Sequence, residues 1–255
     1  MSQRPVIFLD FDGTVTRNDV VDSILKCDAD LTSLVVEEEW KAGRIGSREC
    51  LRAQIELLRA KPHELDALLD TIEVDEGFPA VLDTCARHGV ATHIISDSFD
   101  YCIARILGRP SLALKCHLHR VQIFASHLEP DGESWHVEFP YFRELCAHGC
   151  ATCKPAVMRW LNPDGAPMIF VGDGLSDRYA ATSADLVFGK SLAGYCQERA
   201  VPSITYAGLR DVAAQLDRLL SLDFASVCPR ASAAQLLEGG VMRGSGSTPE
   251  GVYLK

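Results

Sequence analysis

The chain contains no apolar run near the roughly 18 residues that a membrane-spanning helix needs, so no transmembrane segment is expected. Basic residues are in deficit: 25 Lys and Arg stand against 35 Asp and Glu, a formal net charge of −10. That balance argues against a nucleic-acid partner and against an anionic membrane surface, since both attract basic faces. A small phosphorylated ligand stays open, because local groups and a metal ion can outweigh net charge at one site. A signal-peptide core is also missing: the apolar run at residues 6–9 is short and acids follow at once, so a cytoplasmic location is expected. There the ten cysteines would be reduced thiols, not a disulfide framework.

Apolar residues are in ordinary supply at 47% of 255, enough for a substantial core in one large domain or a domain with an insertion. The opening run VIFL reads as a strand buried on both faces. Asn18 or Asp19 can cap a helix that carries Val20, Val21, Ile24 and Leu25 on one face. Residues 32–72 then keep a helical period, with Pro62 suited to a first helical turn. A helix over 78–88, a stop at Gly89 and a strand over 90–95 follow, the strand ending in Ser96, Asp97 and Ser98. Residues 120–140 read as a hairpin turning at Pro130, Asp131 and Gly132. A helix from Pro155, a strand over 168–171 and further strand and helix to about residue 222 complete the ordered part. Apolar strands alternating with helices predict an α/β fold with a doubly wound parallel sheet. The expected division is a core of residues 1–16 and 76–228, a helical insert at 17–75, and a Gly- and Ser-rich tail at 229–255 that reads as mobile.

Three of these strands end in polar residues: Asp10 and Asp12, Ser96, and Asp173 with Asp177. In open α/β sheets that edge binds ligands. Four acids converging there would repel one another unless a cation held them or some were protonated. An all-oxygen ligand set favours a hard octahedral ion such as Mg²⁺. An EF-hand is excluded, since Val15 and Val21 would fall on its glycine and twelfth positions. A dinucleotide fingerprint at Gly172 and Gly174 fails because Asp177 replaces its third glycine.

DFDGT after a hydrophobic strand, a strand ending in Ser96, Lys154 before a helix, and a strand into GDGLSD resemble, in order, the four motifs of the haloacid dehalogenase-like (HAD) phosphatases. The resemblance implies a Rossmann-like core with a small helical cap inserted after the first strand. It also implies a Mg²⁺-dependent phosphomonoesterase working through an aspartyl phosphate on a small phosphorylated metabolite. On that reading Asp10 is the nucleophile and Asp12 the acid and base. Ser96 and Lys154 bind the phosphoryl group, with Asp97 beside them on the substrate. Asp10, the Asp12 backbone carbonyl and Asp173 hold Mg²⁺, and Asp177 supports that site. The cap placement resembles the phosphoserine-phosphatase branch. CAHGCATCKPAVM and ADLVFGKSLAGYCQE are similar to the methionine-salvage phosphatases acting on 2-hydroxy-3-keto-5-methylthiopentenyl 1-phosphate. Asp97 and Ser98 stand where glycines are expected in that family. Phosphoserine is the alternative substrate, and a non-catalytic phospho-ligand binder or a phosphotransferase on the same fold are the alternative functions. Arg17, Asp19, Glu38 and Arg44 are candidate substrate-reading residues of the insert.

Cys146, Cys150 and Cys153 around His148 admit a zinc reading, with Cys116, His117 or His119 as a fourth ligand. The plainer reading is a group of reduced thiols packing the loop before Lys154.

Overall fold

The computed structural model describes residues 3–28, 31–132, 134–222 and 224, without the side chains of 27, 28, 31, 115 and 116. The tail at 229–255 lies outside these residues. Seven strands form one sheet in the order β4-β3-β2-β1-β5-β6-β7. They are β1 (Val6–Leu9), β2 (Thr92–Phe99), β3 (Val121–Asp131), β4 (Ser134–Glu138), β5 (Met168–Gly172), β6 (Leu186–Gly189) and β7 (Ser203–Ile204). All neighbours run parallel except β3 and β4, which form the expected hairpin.

Alternation along the central strands explains their continuous apolar character. Ile7 and Leu9 join one buried cluster with Ile94, Ile169 and Val171. Phe8 points the other way, into a second cluster with Ile95, Phe124 and Phe170. Both faces of a parallel sheet are covered by helices, so neither needs polar residues. The first face packs on α5 (Phe78–His88), α6 (Asp100–Leu107), the short α7 (Lys115–Leu118) and α11 (Leu209–Ser221). The second packs on α8 (Lys154–Leu161), α9 (Arg178–Ser183) and α10 (Ala193–Glu198). Gly89 ends α5 in the left-handed region at φ 62°, as its position in the sequence predicts. Among the described residues no helix is long and apolar enough to cross a membrane.

Four helices stand between β1 and α5: α1 (Val20–Asp28), α2 (Leu31–Lys41), α3 (Ser47–Leu57) and α4 (Pro62–Leu69). Asp19 caps the first, its Oδ1 accepting from the Asp22 N–H at 2.9 Å. Pro62 opens the last, where a missing N–H costs nothing. The apolar faces of α1, α3 and α4, with Val20, Ile24, Ile55, Leu65 and Leu69, continue the first cluster. Polar ties hold the α4 end: the Tyr101 hydroxyl donates to Asp66 at 2.8 Å, and Arg105 forks onto Asp70 at 2.9 and 2.5 Å.

Two boundaries differ from the sequence expectation. The second strand starts at Thr92 and runs on through Ser96 to Phe99, with its pairing to β3 shifting between Ile95 and Phe99. A local irregularity lets the polar residues stay in the sheet while the chain bends. Pro130 lies in β3 opposite Trp135, and the chain reverses between Asp131 and Ser134. Proline is tolerated there because this end of β3 lies beyond its pairing with β2 and has a partner on one side only.

Candidate active site

The carboxyl ends of β1, β2 and β5 open into one cleft beneath α1, α2 and α3. It encloses about 180 Å³ and is lined by Asp10, Asp12, Ser96, Asp97 and Asp173, among others. That space admits a metabolite, not a macromolecule. Asp10 follows the last residue of β1, and its N–H donates to the Val171 carbonyl at 2.8 Å, so the sheet itself fixes its position. Its side chain is buried.

Lys154, at the first turn of α8, is also buried. Its ammonium donates to Asp10 Oδ1 and to Asp177 Oδ1, each at 2.6 Å. The other oxygen of Asp177 accepts from the Asp173 N–H at 2.9 Å and the Gly174 N–H at 3.3 Å. Asp177 is thus engaged on both oxygens and shapes the loop after β5. Gly13, at φ 67°, lets Asp173 approach: a Cβ there would lie 2.2 Å from Asp173 Oδ2. Lys190, not singled out from the sequence, donates to the Gly13 carbonyl at 2.5 Å and steadies the same turn.

Asp10, Asp173 and Asp177 each offer a carboxylate oxygen within 4.8 Å of the other two. The carboxylate of Asp12 stands outside this group: its Oδ1 accepts from the Val20 N–H at 3.2 Å. Burial, then the Asp177 carboxylate, push Asp10 up despite Lys154. Asp173 is pushed up to about 6 by burial, then by Asp177. Burial, then Asp19, hold Asp12 well above the usual carboxylate range, so it keeps a proton readily. Burial pulls Lys154 down, but Asp10, Asp177 and Asp97 more than offset it and keep it charged. Three converging carboxylates against one buried ammonium leave negative charge that a hard divalent cation fits.

Ser96 is buried beside the cleft, and its Oγ accepts from the Ser98 N–H at 3.1 Å, which leaves the hydroxyl proton to donate. Asp97 lines the cleft but is tied elsewhere. Its Oδ2 accepts from the Ser47 hydroxyl at 2.6 Å and its Oδ1 from the Thr152 N–H at 2.9 Å. The Ser47 Oγ accepts in turn from the Ala151 N–H at 3.0 Å, and the Arg48 N–H donates to the Gly149 carbonyl at 3.1 Å. Asp97 therefore joins α3 to the loop before Lys154, a role its place in the sequence does not disclose.

Of the four substrate-reading candidates in the helical insert, only Asp19 lines the cleft. Arg17 pairs with Glu73 at 3.5 Å, Arg44 forks onto Glu39 at 2.5 and 2.8 Å, and Glu38 is exposed. The residues that do face the cleft from α2 and α3 include Glu37, Trp40, Ser47, Leu51 and Gln54. In α3 they fall on one helical stripe, which was the available signal.

Burial raises Cys146, but the backbone N–H groups of Cys150 and His148, and then the neighbouring Cys150 and Cys153 thiols, lower it on balance. Among the described residues the only triad placed to share a metal ion is the aspartate one. His148 stacks on Tyr179 at 3.5 Å, and His117 pairs with Asp83 at 3.2 Å. Cys153 is buried and Cys146 and Cys150 are half-buried in the loop before Lys154.

A family model described as haloacid dehalogenase-like hydrolase matches residues 7–182. The chain is 27% identical over 221 residues to the 2-hydroxy-3-keto-5-methylthiopentenyl-1-phosphate phosphatase of Bacillus pumilus, covering 85% of this chain and 93% of that protein. To the protein of the same name from Geobacillus thermodenitrificans it is 29% identical over 224 residues, covering 86% and 98%. A solved phospho-aspartyl intermediate analogue of phosphoserine phosphatase aligns with a TM-score of 0.65 at 20% identity, covering 84% of this chain and 99% of that one. At that identity the likeness speaks to the fold alone.

Proposed function

The chain belongs to the haloacid dehalogenase-like hydrolase family and is a phosphatase, and from that premise we propose a magnesium-dependent phosphomonoesterase acting through an aspartyl phosphate on Asp10. The observation that carries this reading is the pair of 2.6 Å contacts from the buried Lys154 to Asp177 and to Asp10, which lines the cleft. Asp10, Asp173 and the backbone carbonyl of Asp12 would hold the cation, with Asp177 fixing their loop. Bound there, magnesium supplies positive charge beside the phosphoryl oxygens.

Lys154 holds Asp10 Oδ1, which aims the remaining oxygen, Oδ2, at phosphorus. As the Oδ2–P bond forms, the ester P–O bond breaks and Asp12 gives its proton to the leaving oxygen. Asp12, now ionised, takes a proton from a water that attacks phosphorus and frees Asp10 and inorganic phosphate. Ser96 donates to a phosphoryl oxygen, and Lys154 offsets charge that develops on the group. The described part of the helical segment at 17–75 serves as a cap over a core formed by the described residues of 1–16 and 76–228, and it limits water at the reacting atoms.

For the substrate we propose 2-hydroxy-3-keto-5-methylthiopentenyl 1-phosphate, supported by the name that both relatives carry and by alignments spanning 93% and 98% of their lengths. A merely phospho-binding protein has no need of a proton donor such as Asp12 two residues after the nucleophile. The test is release of inorganic phosphate from that compound and from an aryl phosphate, with and without Mg²⁺. Metal-dependent release by the native protein, absent in Asp10→Asn, supports the reading. Equal release by that variant removes Asp10 from the reaction.

A further inference from the structure

The roof of the cleft carries a polar group that the phosphoryl chemistry does not use. Gln54, on α3, is only 3% exposed and lines the cleft. No described residue hydrogen-bonds its carboxamide, and its polar atoms are not among those sealed from the cavity. Buried amides are nearly always partnered, so one that faces a cavity without a partner is placed for a ligand. The same cleft is lined by Trp40, Leu51 and Val21, which are apolar, and by Asp22 and Glu37.

The charges near this roof have one sign. Glu37 pairs with Lys41 at 2.5 Å and Asp22 approaches Lys26 at 4.0 Å, but neither lysine lines the cleft. Among the residues that do line it there is no Lys, Arg or His. A substrate carboxylate reaching this roof, away from the phosphoryl end, would meet Asp22 and Glu37 and no basic lining residue. A carboxamide, by contrast, offers two N–H donors and a carbonyl acceptor, the complement of a neutral hydroxyl or carbonyl.

We infer that Gln54 reads a neutral hydroxyl or carbonyl oxygen on the carbon chain of the substrate, while Asp22 and Glu37 turn away chains that carry a carboxylate. This rests on the phosphatase reading and adds a specificity-determining residue to it. A site that hydrogen-bonds a substrate oxygen discriminates strongly against chains that cannot complete the bond, because its own polar group is then left unpaired.

The test compares kcat/KM for three phosphomonoesters with Mg²⁺ present: dihydroxyacetone phosphate, 3-phosphoglycerate and p-nitrophenyl phosphate. The native protein is expected to favour the uncharged ketone over the carboxylate by about tenfold or more. In Gln54→Leu the ratio of ketone to aryl kcat/KM should fall about tenfold, mostly through KM. Gln54→Glu keeps the side-chain shape while removing the NH₂ donors, and should lower the same ratio even if the leucine variant fails to fold. Glu37→Gln combined with Asp22→Asn should raise kcat/KM for 3-phosphoglycerate. An unchanged ratio in both Gln54 variants, or a native preference for 3-phosphoglycerate, overturns the inference while leaving the phosphatase intact. Absence of phosphate release from all three esters overturns the phosphatase reading itself and the inference with it.

Discussion

One ammonium, that of Lys154, lies 2.6 Å from carboxylate oxygens of both Asp10 and Asp177, fastening the end of β1 to the loop after β5. These three groups are almost wholly buried. Their charges are therefore coupled to folding as well as to chemistry.

Replacing Lys154 with Met should remove activity and stability together. It leaves two buried carboxylates without their partner, a change that typically costs about 3–5 kcal/mol. Thermal melts followed by circular dichroism should show a clear drop in Tm. Added divalent cation should restore part of it, because the cation supplies the missing charge. A variant as stable as the native chain would mean that the carboxylates are neutralised in another way.

Asp12→Asn separates proton transfer from nucleophilic attack. General acid catalysis contributes roughly 10²- to 10⁴-fold, so an alkyl phosphate should slow by that order. An aryl phosphate, whose leaving group needs no proton, should lose less in its first step. Phosphate-release rates for the two esters give the comparison. Identical losses on both would argue that Asp12 acts only on the second step.

Metal binding should deepen as pH rises through the range set by Asp173. Its carboxyl is pushed up to about 6 from an ordinary 3.8. A carboxyl raised by folding binds its proton more tightly in the native chain than in the unfolded one. Without a cation, the native state therefore loses stability as pH climbs from about 4 through about 6. Magnesium takes the site where protons leave it. Its effect on Tm should be small at pH 5 and larger at pH 7.5, as measured by scanning fluorimetry. A shift of equal size at both values would detach the cation from Asp173.

Cys146 should be the fastest of the seven described thiols to alkylate. It is only half-buried, and hydrogen bonds at its sulfur favour the thiolate despite the opposing effect of burial. Cys50, Cys85, Cys102 and Cys150 are pushed the other way, chiefly by burial. Timed iodoacetamide labelling with peptide mapping gives the order. Faster labelling at Cys150 would reverse the assignment of donor and acceptor.

The sheet was legible because strands buried on both faces leave unbroken apolar runs, and Asp10, Ser96 and Asp173 were legible because they interrupt such runs at one edge. The roof of the cleft was not, for a different reason. Arg17, Glu38 and Arg44 attract notice by charge, yet each is exposed, two of them in pairs with nearby acids. Ser47, Leu51 and Gln54 line the cleft because of the face they occupy, at spacings of four and three residues along α3. A glutamine inside an otherwise apolar stripe was the signal. Asp97 lines the cleft beside Ser96, as its place after that residue suggests, but its further ties are not written there. Its bonds to Ser47 and Thr152 join segments about fifty residues away on either side, which no local pattern records.

The stitching of α3 to the chain ahead of Lys154 has a consequence for how the cleft admits its guest. Thr152 to Asp97, Ala151 to Ser47 and Arg48 to Gly149 each end on a residue shortly before that lysine, and Ser47 to Asp97 closes the set. If the roof lifts at this corner, these bonds break first, and the strain falls on the residues that hold the ammonium over Asp10. Doorway and charge clamp then share a hinge post, so a loosened entrance would also leave the nucleophile poorly aimed.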